Sequence, residues 1–499
     1  MSSARRPSIG VDFGTSTTLI ASTRGVVPIG QSTAWMPSVV AYDDNGALIV
    51  GERALLEEQR IRSIKRWITD NRDFVRVDLP TGPRDIRIDD LIVELLREVG
   101  RRGARRGQDV GGGNLVRLAC PAMWDGRQRR RLLTAAQRAD LPVVLATMVD
   151  EPVAAGIAWL SHQPALDRPL RMVVFDMGGG TLDIAVLDVR GHDVTVLAAM
   201  GVAEAGDSLD EVIAADLDLE LAKVGIDVDT LPNPGRARVR LLEEARATKV
   251  LLSGSEEHVI SLSSQIFGRA GEVWYTREQL NDVFTPQMER AEDAVGLALR
   301  IARIIDGASA SEIARMPMDD LVQGIDVVLL SGGMSHIPYV RQRMQWLFES
   351  STRVELATDA PETAVAVGLA RAGEYGKINT YRPAFDVLLE WSPGKDFRTV
   401  YEAYTPLIER AQILRGDDEL RYVRTGRDLS LPRQAKGKLR VVSHSGERLR
   451  ANLAGKPLDG FPVAVSEEKF EFSIYPDGRI RMTDGTATYE GQVEDWHTH

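Results

Sequence analysis

The chain has 499 residues, 43% of them hydrophobic and 27% charged, a balance that excludes a disordered polymer and allows two or three domains with ample cores. Its formal net charge of -11 argues against general affinity for nucleic acid or for an anionic membrane surface. A single cysteine, Cys120, precludes an intramolecular disulfide framework and fits a reducing compartment.

Taken in order, the twin arginine Arg5-Arg6 is followed by no apolar targeting segment, so no export signal is expected. No apolar run approaches transmembrane length, and a cytoplasmic location is expected. Residues 9–21, Ile-Gly-Val-Asp-Phe-Gly-Thr-Ser-Thr-Thr-Leu-Ile-Ala, read as a strand reaching Asp12, a turn of Gly14, Thr15 and Ser16, and a returning strand. Residues 35–42 read as a strand, 43–46 as a turn and 48–51 as its return. Residues 53–71 have the apolar spacing of a helix, with Lys65 on it, and 89–99 form a second amphipathic helix. The run Arg101-Arg102-Gly103-Ala104-Arg105-Arg106, with glycines 111–113 behind it, is expected to be a solvated loop. Residues 116–120 are a strand in which Cys120 is a buried structural thiol; 125–139 a helix; 142–148 a strand. Asp150-Glu151-Pro152 starts a helix at a strand's carboxyl end, where sites in α/β sheets form.

The stretch that organises the chain is residues 172–189. An apolar strand enters Asp176, Gly178, Gly179 and Gly180 make a turn without Cβ atoms, and Thr181 and Asp183 begin a returning strand. Bare amides hold phosphate oxygens and carboxylates hold the waters of a magnesium ion, so this hairpin fits a metal-bound phosphate. The loop at Asp12 has the same grammar. Two such loops a domain apart imply an internally duplicated α/β protein with a nucleotide between its lobes. Further on, helices are expected at 209–223, at 241–252 with Arg246 and Lys249, and at 274–303 with a break at Pro286. A buried strand at 326–330 runs into Ser331-Gly332-Gly333, a way to lay a base or ribose against backbone, then His336 and a helix at 340–348. A small-residue helix at 361–368, which includes Glu362, closes this unit near Lys377. From 386 on, short alternating strands take over; Phe472 and Ile474 pair across a turn with Ile480 and Met482. The closing 496–499 is too short to be read as a metal site.

Both hairpins, Asp150-Glu151-Pro152 and Ser331-Gly332-Gly333 occur in the order of the actin-like ATPase superfamily. Within it the chain most resembles the DnaK-type heat-shock chaperones, from Ile9 to about Gly373, with Pro37-Ser38-Val39-Val40-Ala41-Tyr42, Ile64-Lys65-Arg66 and Cys120-Pro121-Ala122 in matching places. The resemblance implies a duplicated actin-like ATPase fold over residues 1–383, an apolar interdomain linker at 384–392, and a β-sandwich-like domain at 393–499 without the family's helical lid. The first strand of the β domain is the alternative reading of Asp386-Val387-Leu388-Leu389. It implies ATP or ADP with Mg2+, the metal held through water by Asp12, Glu151 and Asp176. Phosphate and nucleoside contacts would come from Gly14, Thr15, Ser16, Gly178, Gly179, Gly180, Lys249, Ser253, Gly332, Gly333, His336 and Glu362. Lys65 and Thr181 would orient the attacking water, with Glu151 and Asp176 sharing in catalysis, and Pro121 and Arg129 would connect cleft and surface.

The sequence departs from that pattern at His336, where the family has an arginine on adenine, at Arg246 and Val250 beside the ribose, and at Thr147 and Asp150 beside the linker dock. The expected function is ATP hydrolysis that controls how the β domain holds an unfolded peptide or a partner protein, with a J-domain co-chaperone and a nucleotide-exchange factor as implied partners. An ATP-gated interaction scaffold and an actin-like filament protein are the alternatives; a sugar kinase would need a polar substrate cluster that the sequence does not display. The Walker pattern is missing, so this is not a P-loop enzyme.

Overall fold

The computed structural model describes residues 8–494 apart from 80–81, 111–113, 269–270, 393–395, 416, 418 and 445–448. Arg5-Arg6, glycines 111–113 and residues 496–499 therefore lie outside the described residues. The first half is built on a mixed sheet in the order Met148–Asp150, Leu115–Cys120, Ser8–Phe13, Thr17–Ser22, Gly25–Val27, with Met36–Pro37 also on Thr17–Ser22. The second half repeats the plan: Arg353–Leu356, Val327–Ser331, Leu170–Met177, Leu182–Arg190, Asp193–Val202, then Gly376–Asn379. In each, three parallel strands lead to a hairpin whose first strand ends one residue past an aspartate. The parallel strands are buried on both faces, which is why they read as unbroken apolar runs.

The halves meet through two helices of small residues, Glu151–Leu160 and Ala364–Arg371. A Cβ on Gly368 would lie 1.7 Å from the Ala154 carbonyl oxygen, and one on Gly10 would lie 2.3 Å from that of Ala366. These approaches exist only because both residues lack a side chain. Alanine, glycine and valine dominate the helices for the same reason: bulk there would push the lobes apart.

Several local expectations are corrected. Residues 53–71 are not one helix but a 3-10 turn Gly51–Leu56, a short strand Arg60–Ile61 paired with Val40–Tyr42, and a helical turn Arg66–Thr69. Ser63 sits at φ 55°, a left-handed conformation no helix interior contains. The helical spacing arose because Ile64, just before the helical turn, and Ile68, within it, both reach the lobe core. The basic run is not a loop either: the helix Ile88–Arg105 continues through it, because Glu94 and Glu98 pair with Arg97, Arg101 and Arg102 one turn on. The strand expected at 142–148 is Met148–Asp150, preceded by a 3-10 turn Leu145–Thr147; Pro142 has no N–H for a ladder. Trp274 belongs to the strand Gly271–Thr276, and the helix Arg277–Ile305 runs unbroken through Pro286. That proline removes one backbone bond, while Phe284, Met288, Ala291 and Val295 stay buried on either side of it and hold the turn.

From Phe385 on, two antiparallel sheets stack on a shared core. One is ordered Asp396–Tyr401, Phe385–Ser392, Ala435–Ser443, Pro462–Val465. The other is ordered Tyr422–Thr425, Glu471–Ile474, Arg479–Thr483, Thr488–Val493, Ala451–Leu453, Lys456–Pro457. The expected face is formed: Phe472 opposes Met482 and Ile474 opposes Ile480, all four buried. The apolar stretch 384–392, expected as a linker, is a strand of the first sheet rather than a connector outside both units. Val387 and Leu389 alternate into the core, which is where their side chains bury most surface.

The β unit packs on the first lobe through arginines. Arg130 donates to both oxygens of Asp386 at 2.9 Å and to Glu402. Arg382 donates to the Trp124 carbonyl at 3.0 Å, and the buried Arg129 guanidinium lies 4.3 Å from the Tyr404 ring centroid. Asp125 positions both Arg129 and Arg130 by capping the helix Gly126–Arg138 in a reciprocal box with Gln128. Arg129 pairs with Asp150 at 2.6 Å and donates to Cys120 Sγ at 3.0 Å. Cys120 is buried, as expected, and burial pushes its thiol up to about 12. Ile408, Ile413 and Leu420 of the β unit are continuous with the core of the second lobe.

Two stability measurements follow. Gly368→Ala forces a methyl into the Ala154 carbonyl and is expected to cost about 1–3 kcal/mol, whereas Gly100→Ala, in a roomy helix position, is expected to gain about 0.5–1 kcal/mol; urea unfolding of the pair reads both signs. Asp150→Ala leaves Arg129 buried and unpaired, and a loss of about 3–5 kcal/mol is expected in the same experiment.

Candidate functional site

Each hairpin tip closes with the same bond. Gly14 N donates to Thr17 O at 3.0 Å, and Gly178 N donates to Thr181 O at 3.1 Å. The tips face one another. A Cβ on Gly179 would fall 2.3 Å from Ser16 Oγ, and one on Gly180 would fall 2.6 Å from Thr15 Oγ1. The tips are therefore glycine because the opposing loop, as well as any ligand, comes within contact of the backbone. Asp12, across from Leu19, and Asp176, across from Asp183, then enter one cleft of about 630 Å³.

Lys65 reaches the same place from the irregular segment. The left-handed turn at Ser63, whose hydroxyl donates to Asp207, sends Lys65 inward to donate to Glu151. Its ammonium lies 6.0 Å from the centroid of the buried Trp124 ring. Burial works against the charged lysine, but Glu151 and Asp12 outweigh it and hold the ammonium above its ordinary value. Glu151 is the first residue of the helix that follows Met148–Asp150.

On the opposite wall, Gly332 has φ 81° and a Cβ there would meet the Met177 carbonyl at 2.3 Å, while Gly333 presents open backbone. His336 Nε2 stands 2.8 Å from Glu362 Oε2 at the rim. Along the side, Lys249 Nζ bonds Asp210 at 2.6 Å and the Gly206 carbonyl at 2.9 Å, with Ser253 one turn on. Gly14, Thr15, Ser16, Gly178, Gly179, Gly180 and Thr181 line the floor. Every residue expected at the site thus borders this one cleft.

The sequence pattern places Asp183 on the returning strand and gives it no role at the site. It lies beside the others, accepts from Ala122 N at 2.6 Å, and leaves its second oxygen buried with no hydrogen-bond partner. The signal was its position two residues after Thr181, on the same side of the strand. Trp35, Met334, Ile337 and Val365 also line the cleft; nothing in their local sequence marks them, because they are ordinary apolar walls.

Four carboxylates, Asp12, Glu151, Asp176 and Asp183, are buried here against one lysine. Burial first, then Glu151, pushes Asp12 and Asp183 up to about 7, with Lys65 opposing; burial, Glu151 and Asp183 hold Asp176 well above the carboxylate range. This surplus of negative charge and the unpartnered Asp183 oxygen fit a divalent cation. Among the described residues no three acidic, histidine or cysteine side chains converge closely enough to ligate a metal directly. Among the described residues no helix is long and apolar enough to cross a membrane.

Comparison with known proteins agrees with this geometry. The family model for Hsp70 protein matches residues 113–377, just over half of the chain. The Chaperone protein HscA homolog of Bordetella pertussis is 31% identical over 73% of this chain and 57% of its own length. The Chaperone protein DnaK of Thermosipho melanesiensis is 28% identical over 75% of this chain and 61% of its own. The Chaperone protein HscA of Klebsiella pneumoniae strain 342 is 30% identical over 96% of this chain and 76% of its own. The chain thus spans about three fifths of the first two relatives. With two lobes on one duplicated plan, opposed hairpins at their junction and a β unit behind them, the chain belongs to the Hsp70 family.

Proposed function

We propose that this chain binds ATP in the cleft between its lobes, hydrolyses it to ADP, and uses the nucleotide state to govern how the β unit holds an extended peptide or a partner protein. The observation that carries the reading is the meeting of two like hairpin tips around four buried carboxylates and one buried lysine. Hsp70-family chaperones are ATPases, and the relatives above are named as chaperones. The division that goes with it is a nucleotide unit to about residue 383, followed by the β unit that opens with Phe385–Ser392.

In this reading the amides of Gly14, Thr15, Gly178, Gly179 and Gly180 and the hydroxyls of Thr15 and Thr181 bind the phosphate chain. Asp12, Glu151, Asp176 and Asp183 hold the waters of a magnesium ion, which neutralises charge on the phosphates when bound. Lys65, fixed by Glu151, donates to the attacking water together with Thr181. Phosphoryl transfer needs little beyond such positioning and charge placement, so no covalent nucleophile is required. Gly332 and Gly333 offer backbone to the nucleoside, and His336 with Glu362 closes the rim.

The route to the β unit is short. Asp183 holds Ala122 N, two residues on the Trp124 carbonyl accepts from Arg129 and Arg382, and Arg130 reaches Asp386 and Glu402. A J-domain co-chaperone and a nucleotide-exchange factor are the partners this reading implies. The shared core at Ile408, Ile413 and Leu420 favours a second reading, in which the β unit stays docked and presents one surface to one folded partner.

Lys65→Ala is expected to lower kcat for ATP hydrolysis by about 10²-fold or more, with ADP binding retained, in single-turnover and calorimetric assays. Arg382→Ala is expected to leave hydrolysis within a few-fold of the parent but to stop ATP from releasing peptide. A peptide array probed with and without ATP supplies that readout. Many apolar heptamers released by ATP support the chaperone reading, and binding of none overturns it in favour of the docked scaffold.

A further inference from the structure

Beside the cleft wall at Lys249 stands a cation with no ion pair of its own among the described residues. Arg60 and Arg62 come from the first lobe; Arg246 and Lys249 come from the helix Pro234–Leu252 of the second. Arg60 is satisfied by Glu243 and by the carbonyls of Leu55 and Glu57. Lys249 and Arg246 share the single buried carboxylate of Asp210, at 2.6 and 3.4 Å, and Asp207 accepts from Ser63. Arg62 is left over. Its Nε is buried with no hydrogen-bond partner, and it has no ion pair among the described residues. Burial, then the charges of Arg246 and Arg60, lower this guanidinium to about 10, with Asp207 and Asp210 opposing. Arg62 is half-buried, and crowding by two like charges makes an added anion favourable there.

The place of this cluster along the cleft says which anion. This argument rests on the nucleotide reading above. Phosphates lie on the hairpin tips and the base lies toward Gly333 and His336, so the sugar lies along Gly206, Lys249 and Ser253. Arg246 precedes Val250, which lines the cleft, by one helical turn, and so continues the same stripe. A neutral ribose edge is normally met by a carboxylate, and an arginine there instead accommodates a phosphate on the ribose. Two guanidiniums from opposite lobes suit a dianionic phosphate monoester, each donating in a planar fork.

We propose that Arg62 and Arg246 form a subsite for a second phosphate, carried on O2′ or O3′ of the ribose, and that the favoured ligand is a ribose-phosphorylated adenine nucleotide. Binding such a ligand would also bridge the lobes.

Calorimetry of the full chain with magnesium at physiological ionic strength compares ADP, ADP phosphorylated on O2′ and ADP phosphorylated on O3′. One phosphorylated isomer is expected to bind about tenfold or more tightly than ADP, since charge-assisted bonds of this kind contribute at least that much. Arg246→Glu and Arg62→Gln are each expected to remove most of that gain, with melting temperatures reported alongside so that a misfolded variant is recognised and the other is used. ADP binding with no gain from either isomer overturns the subsite and leaves the nucleotide reading standing. A gain that survives in both folded variants also overturns it. Absence of binding by all three ligands overturns both.

Discussion

The contact on which the structure depends is backbone against side chain at the two hairpin tips. Gly179 and Gly180 lie where any Cβ would strike Ser16 and Thr15, so the lobes close only if both loops keep their small residues. That approach concentrates Asp12, Asp176 and Glu151 in one cleft, with Asp183 buried behind Asp176. Left alone, four acids would repel each other out of register. Lys65 relieves one of them, and the remaining carboxylates suit a bound cation rather than contribute to stability. A buried pair such as Lys65 with Glu151 is weak evidence of stabilisation; here it fixes where the ammonium stands.

The two small-residue helices set the geometry that this contact needs. Gly368 against Ala154 and Gly10 against Ala366 fix how closely the two helices approach each other and the first sheet, since no flexible side chain intervenes. The aspartates sit at equivalent positions on the two sheets, one residue before the end of the leading strand. Duplication of the plan and rigidity of the seam together make the tips meet.

Much of this was legible because it is carried by local grammar. Strand, aspartate, glycine turn and returning strand specify both hairpins from the sequence alone, and every expected site residue borders the cleft. Where the reading failed, the period was right and the conformation wrong. Ile61, Ile64 and Ile68 are spaced as in a helix, yet Ser63 alone in that stretch is left-handed, and that break brings Lys65 to Glu151. Pro286 has the reputation of a helix breaker, but burial along the rest of Arg277–Ile305 outweighs one missing bond. Val387 and Leu389 fit a linker or a strand equally well by composition, and only their ladder with Ala435–Ser443 distinguishes the two. Asp183 escaped assignment because its use depends on Ala122, some sixty residues away.

On the proposed function, the arginines behind the first sheet are the route by which a change in the cleft would reach the β unit. Ala122 and Trp124 stand on one short segment after Pro121, the first bonded to Asp183, the second accepting from two guanidiniums. Arg129 has no freedom to adapt: it is buried, with Asp150, Cys120 Sγ, the Trp124 carbonyl and the Tyr404 ring around it. A shift of that segment therefore either breaks a charge-assisted bond in a low-dielectric setting or carries Arg129, Arg382 and Tyr404 along. Breaking costs more than moving, because an unpaired buried guanidinium has nowhere to find water. Asp386 takes part in the same balance, since burial opposes its charge while His444, the Ala403 amide and Arg130 together hold it below the usual carboxylate range. Coupling of this kind needs no long pathway, only one stiff loop shared by a carboxylate on one side and cations on the other.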